Sequence, residues 1–171
     1  MFEALPWIFP IIAVATLVTI PAYAGLRRGR FYAIFSGIVL GIASLGGVVV
    51  YSRLAGWVSP GVLPWLQAGF AYGMAATSAH YASLVRARMR GRAFRGLISI
   101  PGQVFLASGF MASFWMLGLL IPRVVLWLLG AETVLHWLAP LDFLPYAVGA
   151  VAAFTSPRLF AETVRLRLDE A

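Results

Sequence analysis

The stretch FYAIFSGIVLGIASLGGVVVYS, from Phe31 to Ser52, decides the fold. It contains no charge and no proline, and it is long enough for the roughly 20 apolar residues with which a helix crosses a bilayer. Arg30 closes it on one side and Arg53 on the other. Three further uncharged runs of comparable length surround it, from Leu5 to Leu26, from Leu54 to Val85 and from Leu97 to Pro122. One such run could be the core helix of a soluble domain. Four in a chain of 171 residues that is 61% hydrophobic and 11% charged exceed what one soluble core can hide. The mean hydropathy of +0.89 says the same. The expected fold is therefore all-α, a polytopic membrane helical bundle. The chain opens on Glu3 and enters a full-length span, without the basic start and cleavage site of a secretory leader, so the first segment is expected to be retained.

Beyond the fourth run, Pro122, Arg123, Glu132, His136 and Asp142 interrupt an apolar stretch that reaches Thr155. The reading adopted is a short interfacial helix from about Val124 to Leu138, followed by a fifth span from about Leu138 to Ser156. Making Pro122 to Leu141 a span of its own would give six and place Glu132 near the bilayer centre, at a cost of ~3 kcal/mol unless paired. The arginines choose between these, because cytoplasmic loops retain positive charge. With the N-terminus outside, the inner segments hold Arg27, Arg28, Arg30, Arg86, Arg88, Arg90, Arg92, Arg95, Arg158, Arg165 and Arg167, and the outer ones hold only Arg53 and Arg123. Four or six spans would move the last three arginines outside. The expectation is thus five transmembrane helices and one interfacial helix, N-out and C-in, in a bacterial cytoplasmic (inner) membrane. Residues 1–156 form the bundle and 157–171 a cytoplasmic polar tail or linker.

The formal charge of +7 does not point to nucleic acid, because the arginines cluster between spans and the aromatics lie inside or at the rim of spans rather than beside them. The chain has no cysteine, which excludes disulfides, iron–sulfur clusters and thiolate zinc sites. The group Arg86, Arg88, Arg90, Arg92 and Arg95 has the composition of a segment that meets anionic headgroups and fixes topology. Small residues recur at helical spacing, at Gly37 and Gly41, at Gly69, Gly73 and Thr77, and at Gly109 and Ser113. Such faces let helix backbones approach closely, within the bundle or in a homo-oligomer.

His80 and His136 are placed near opposite faces and cannot share one haem. Glu132 and His136 share a helix face, with Asp142 after the following proline, so His80, Glu132, His136 and Asp142 are the candidate polar positions. A hydrogen-bonded role is expected for them rather than a metal or other cofactor. No G-x-S-x-G, H-E-x-x-H or phosphate-loop motif is present, and no catalytic residue is assigned. With no carboxylate expected mid-span, an ion-coupled pump is disfavoured.

The C-terminal sequence LDFLPYAVGA, from Leu141 to Ala150, and then ETVRLRLD, from Glu162 to Asp169, resembles the junction after the membrane region of bacterial calcineurin-like metallophosphoesterases. In that family a final apolar segment leads to an alternating strand and then to the hydrolase domain. Val164, Leu166 and Leu168 alternate with Arg165 and Arg167 at the period of a half-exposed strand. The family's metal-binding Asp, His and Asn motifs are missing from the chain, so the resemblance implies a membrane module without the hydrolase activity. The function expected is anchoring or assembling a partner, such as a soluble domain at the C-terminus. A small transporter or lipid-handling protein is the alternative.

Overall fold

The computed structural model describes residues 5–85 and 91–155, and every regular element among them is a helix. Helix α1, Leu5–Arg28, runs unbroken through Pro10 and Pro21. It meets α2, Arg30–Trp57, across the single residue Gly29, whose φ of 92° is open to glycine and strained for other residues. The Gly29 amide donates to the Gly25 carbonyl and the Tyr32 amide donates to the Gly29 carbonyl, so one residue reverses the chain. Pro21 then lies beside Gly37, and Phe9 beside Tyr51, which makes the pair an antiparallel hairpin over its whole length.

Helix α3, Leu63–Val85, returns parallel to α1. Phe9 touches Phe70, the Thr16 and Ser78 hydroxyls bond, and Arg28 Nε donates to the Val85 carbonyl at 3.1 Å. One helical turn, α4 (Arg92–Phe94), passes through a π-helical turn at Arg95–Ser99 into α5, Ile100–Leu128. In that widened turn the Ile100 amide bonds the Arg95 carbonyl, five residues back. Pro101 has no amide proton for the Leu97 carbonyl, and the Tyr72 hydroxyl of α3 supplies the missing donor.

The fifth segment differs from the expected one. Pro122 does not end α5; it sits inside the helix on an exposed face. The helix stops only at Leu128, where Gly130 at φ 69° forms a Schellman cap: the Ala131 amide bonds the Leu126 carbonyl and the Gly130 amide the Trp127 carbonyl. The expected interfacial helix from Val124 to Leu138 is therefore divided between the end of α5 and a short α6, Glu132–Trp137. A 3-10 turn at Ala139–Phe143 and α7, Leu144–Thr155, complete a segment that is broken in the middle.

Five segments thus cross the bundle, and one aromatic from each meets at its centre: Phe9, Tyr51, Phe70, Phe105 and Tyr146. The Phe9–Phe70, Phe70–Phe105 and Phe105–Tyr146 ring centroids are 5.3, 5.5 and 5.3 Å apart. Glycines make room for these rings, Gly73 against Phe105 and Gly47 against Phe9 and the Tyr146 hydroxyl. Residues outside this core are inverted relative to a water-soluble protein. Ile11, Val18, Ile38, Leu45, Trp65, Leu117 and Val148 are exposed, while Thr16, Ser36, Gln67, Thr77, His80 and Asp142 are buried. That distribution suits a hydrocarbon solvent. Four stretches are long and apolar enough to cross a membrane, Trp7–Arg28, Arg30–Trp57, Arg92–Leu128 and Glu132–Ala153. Helix α3, of 23 residues, is the fifth and most polar member of the bundle.

Candidate functional site

The break in the fifth segment carries a buried charge. Asp142 lies in the 3-10 turn with its side chain 0% exposed, and both oxygens are engaged. One accepts from Arg123 Nη2 of α5, and the other accepts from Arg53 Nη1 of α2 at 3.4 Å. Arg123 is 11% exposed and its second terminal nitrogen rests on the Met116 sulfur at 3.1 Å, whereas Arg53 is 44% exposed. The two arginines that count as outer residues in the sequence are therefore drawn together on one carboxylate.

The depth of Asp142 follows from its neighbours. The Trp115 indole donates to the Leu141 carbonyl at 3.1 Å, and Gly149 packs on Ser108, so α7 descends antiparallel to α5 with Asp142 level with about residue 115. Trp115 is thirteen residues before Leu128 at the end of α5, while Arg53, which reaches the same carboxylate, is four residues, about 6 Å, from the end of α2 at Trp57. A carboxylate is thus fully enclosed among the helices. A single span from about Leu138 to Ser156 does not anticipate it, because the 3-10 turn at Ala139–Phe143 breaks that segment and turns Asp142 inward. The Trp115 bond also has a local cause. Pro145 cannot donate to the Leu141 carbonyl, and the indole replaces the lost donor, as Tyr72 does for Pro101.

The other candidate positions do not join this site. His80 is buried in α3 with Nε2 3.1 Å from the Gln103 amide of α5, and the Ser83 hydroxyl donates to its carbonyl. Glu132 and His136 begin and nearly end α6 and are exposed, while Asp142 turns away to the arginines. Among the described residues no group of three His, Asp or Glu side chains could hold a metal ion.

The small-residue faces divide between inward and outward positions. Gly73 and Gly109 are close-packed, the latter against the Ala43 carbonyl, and Gly37 stands 3.7 Å from Pro21, but Gly41 and Gly69 look into open space. Close approaches that the spacing did not single out are at Gly46, against the Gly109 carbonyl and Ser113, and at Gly102, against the Ala76 carbonyl. A four-residue spacing marks a smooth face without saying whether it turns inward. Ser113 donates to the Ile42 carbonyl at 2.6 Å and Thr77 to the Gly102 carbonyl at 3.0 Å, so these crossings are bonded as well as close. Arg92 is exposed and Arg95 partly so, beside α4, while Arg86, Arg88 and Arg90 and the tail 157–171 lie outside the described residues.

Two grooves open on the outer surface. One, of about 700 Å³, separates α5 from α7 and is lined by Val104, Met111, Trp115, Val148 and Ala152. The other, of about 600 Å³, runs between α2 and α5, passes Arg53 and Arg123 and reaches Trp127 and Leu135. The chain matches no family model, no curated protein and no solved structure.

Proposed function

We propose that the chain is an integral membrane module that anchors or assembles a partner and leaves chemistry to that partner. The observation that carries this reading is the filled interior. The centre of the bundle is occupied by five interlocking aromatics, and its deepest carboxylate is already held by two arginines. Surfaces remain for recognition.

The orientation proposed is N-out and C-in, in a bacterial cytoplasmic membrane. In its support, Arg27, Arg28, Arg30, Arg92 and Arg95 gather at one end of the helices, while Arg53 and Arg123 near the other end fold back onto Asp142. Because α7 runs antiparallel to α5, it ends at Thr155 towards the arginine-rich end, and the tail 157–171 is proposed to follow on that, cytoplasmic, side. The partner proposed is a soluble domain that meets this tail, and the resemblance to the metallophosphoesterase junction suggests a hydrolase of that kind.

A photo-reactive residue at Leu166 tests the proposal in intact cells. Cross-linking to one soluble protein or domain, abolished when residues 160–171 are replaced by a Gly/Ser sequence, is the expected result. A second reading, a small carrier, draws on the charged residue at a helix break, a feature of substrate sites in transporters. Saturable solute uptake by vesicles holding the purified chain, with no cross-link at Leu166, would replace the module by the carrier.

A further inference from the structure

We propose that the groove between α2 and α5 is a binding site for one anionic phospholipid, with its phosphate on Arg53 and one acyl chain lying along Leu45, Val49, Leu117 and Leu120. The proposal rests on the membrane reading and not on the identity of any partner.

Length and polarity argue for it together. The groove follows α2 from Ile42 to Arg53, about 16 Å at ~1.5 Å per residue. One leaflet of hydrocarbon is about 15 Å thick, half of a core of ~30 Å. Its charged lining residues, Arg53 and Arg123, lie towards the C-terminal end of α2, with Val124, Trp127 and Leu135 beyond them, and apart from Ser113 the remainder is apolar. A phospholipid has the same length and the same arrangement, with a charged head at the surface and an apolar chain running to the midplane.

Charge identifies the head. Two guanidinium groups share one carboxylate, leaving one surplus positive charge. Arg123 and Asp142 are both buried and closely paired, so the surplus belongs to Arg53, whose contact to Asp142 spans 3.4 Å and whose side chain is 44% exposed in the groove. A guanidinium facing hydrocarbon with a spare edge is matched by a phosphate, which it can hold through two parallel N–H bonds. The groove volume, about 600 Å³, falls within the ~300–1,000 Å³ usual for small-molecule sites.

The test uses the full chain reconstituted into nanodiscs of equal parts phosphatidylcholine and phosphatidylglycerol, then released for native mass spectrometry. One phosphatidylglycerol is expected to be retained in preference to phosphatidylcholine. Arg53→Gln lowers its occupancy about fivefold, the effect of removing one cation near the surface, while Arg53→Lys keeps most of it. Leu117→Trp, at an exposed position in the groove, displaces the lipid with Arg53 intact. Circular dichroism checks that each variant is folded, and if Arg53→Gln is not, the Leu117→Trp result decides. Retention of the two lipids in their bulk ratio overturns the proposal, as does phosphatidylglycerol held equally well by the folded variants. Because the cross-link at Leu166 reads a different part of the chain, failure of either idea leaves the other measurable.

Discussion

Replacing Asp142 with asparagine keeps the shape of the side chain and removes the charge that holds α2, α5 and the broken fifth segment together. Arg123 is then stranded at 11% exposure with no carboxylate, and removing one partner of such a buried pair costs about 3–5 kcal/mol. Arg53, at 44% exposure, can swing towards the surface, so Arg53→Gln with Asp142 intact costs no more than ~1 kcal/mol. Replacing the tight pair together, Arg123→Met with Asp142→Leu, restores most of the loss, because apolar side chains of similar size fill the space without a desolvation cost. Unfolding in mixed detergent micelles, followed by far-UV circular dichroism, measures all four proteins. The expected order is wild type, Arg53→Gln, the double variant and Asp142→Asn, from most to least stable. An Asp142→Asn protein within ~1 kcal/mol of wild type, or an Arg53→Gln variant as damaged as Asp142→Asn, would refute the burial and the pairing on which the reasoning depends.

Glycine substitutions separate the inward faces from the outward ones. Gly46→Ala and Gly102→Ala drive a Cβ into backbone carbonyls of the facing helix and should each cost about 1–3 kcal/mol, whereas Gly41→Ala, in open space, should be neutral or stabilising in the same unfolding assay. For topology, a reporter active only in the cytoplasm should work when fused after Ala171 and be silent when inserted between Gly56 and Gly61; a silent C-terminal fusion would exclude the N-out, C-in arrangement. Replacing Arg86, Arg88, Arg90, Arg92 and Arg95 with glutamine should reduce co-purifying anionic lipid. Unchanged lipid content would leave that cluster as a topology signal alone.

The number and type of the crossing segments were legible because the bilayer imposes a length on each apolar run, and Arg30 and Arg53 bracket one such run without ambiguity. Local periodicity carries no information about partners far along the chain, which is why the central site was not legible. Arg53 and Asp142 are 89 residues apart and Arg123 and Asp142 are 19 apart, and no spacing rule links them. Proline misled at one place and helped at another. Pro122 reads as a helix end but lies inside α5 on an exposed face. Pro101 and Pro145 each free a carbonyl, and the donors that recover them, Tyr72 and Trp115, come from other parts of the chain. Neither donor lies near its proline in sequence, so their pairing needed the packed helices.

The account stands on α7 lying against α5 in the register that brings Asp142 inside the bundle. The chain has no cysteine of its own, so a designed pair reports that register without background. A Cβ built on Gly149 lies 3.6 Å from the Ser108 Cβ, within the ~3.5–4.5 Å of a relaxed disulfide. Ser108→Cys with Gly149→Cys, oxidised mildly in native membranes and followed by loss of both free thiols in a mass-tagging assay, should link rapidly and within one chain. Two thiols that stay free, or that link only between separate chains, would contradict the broken fifth segment and the buried ion cluster it carries.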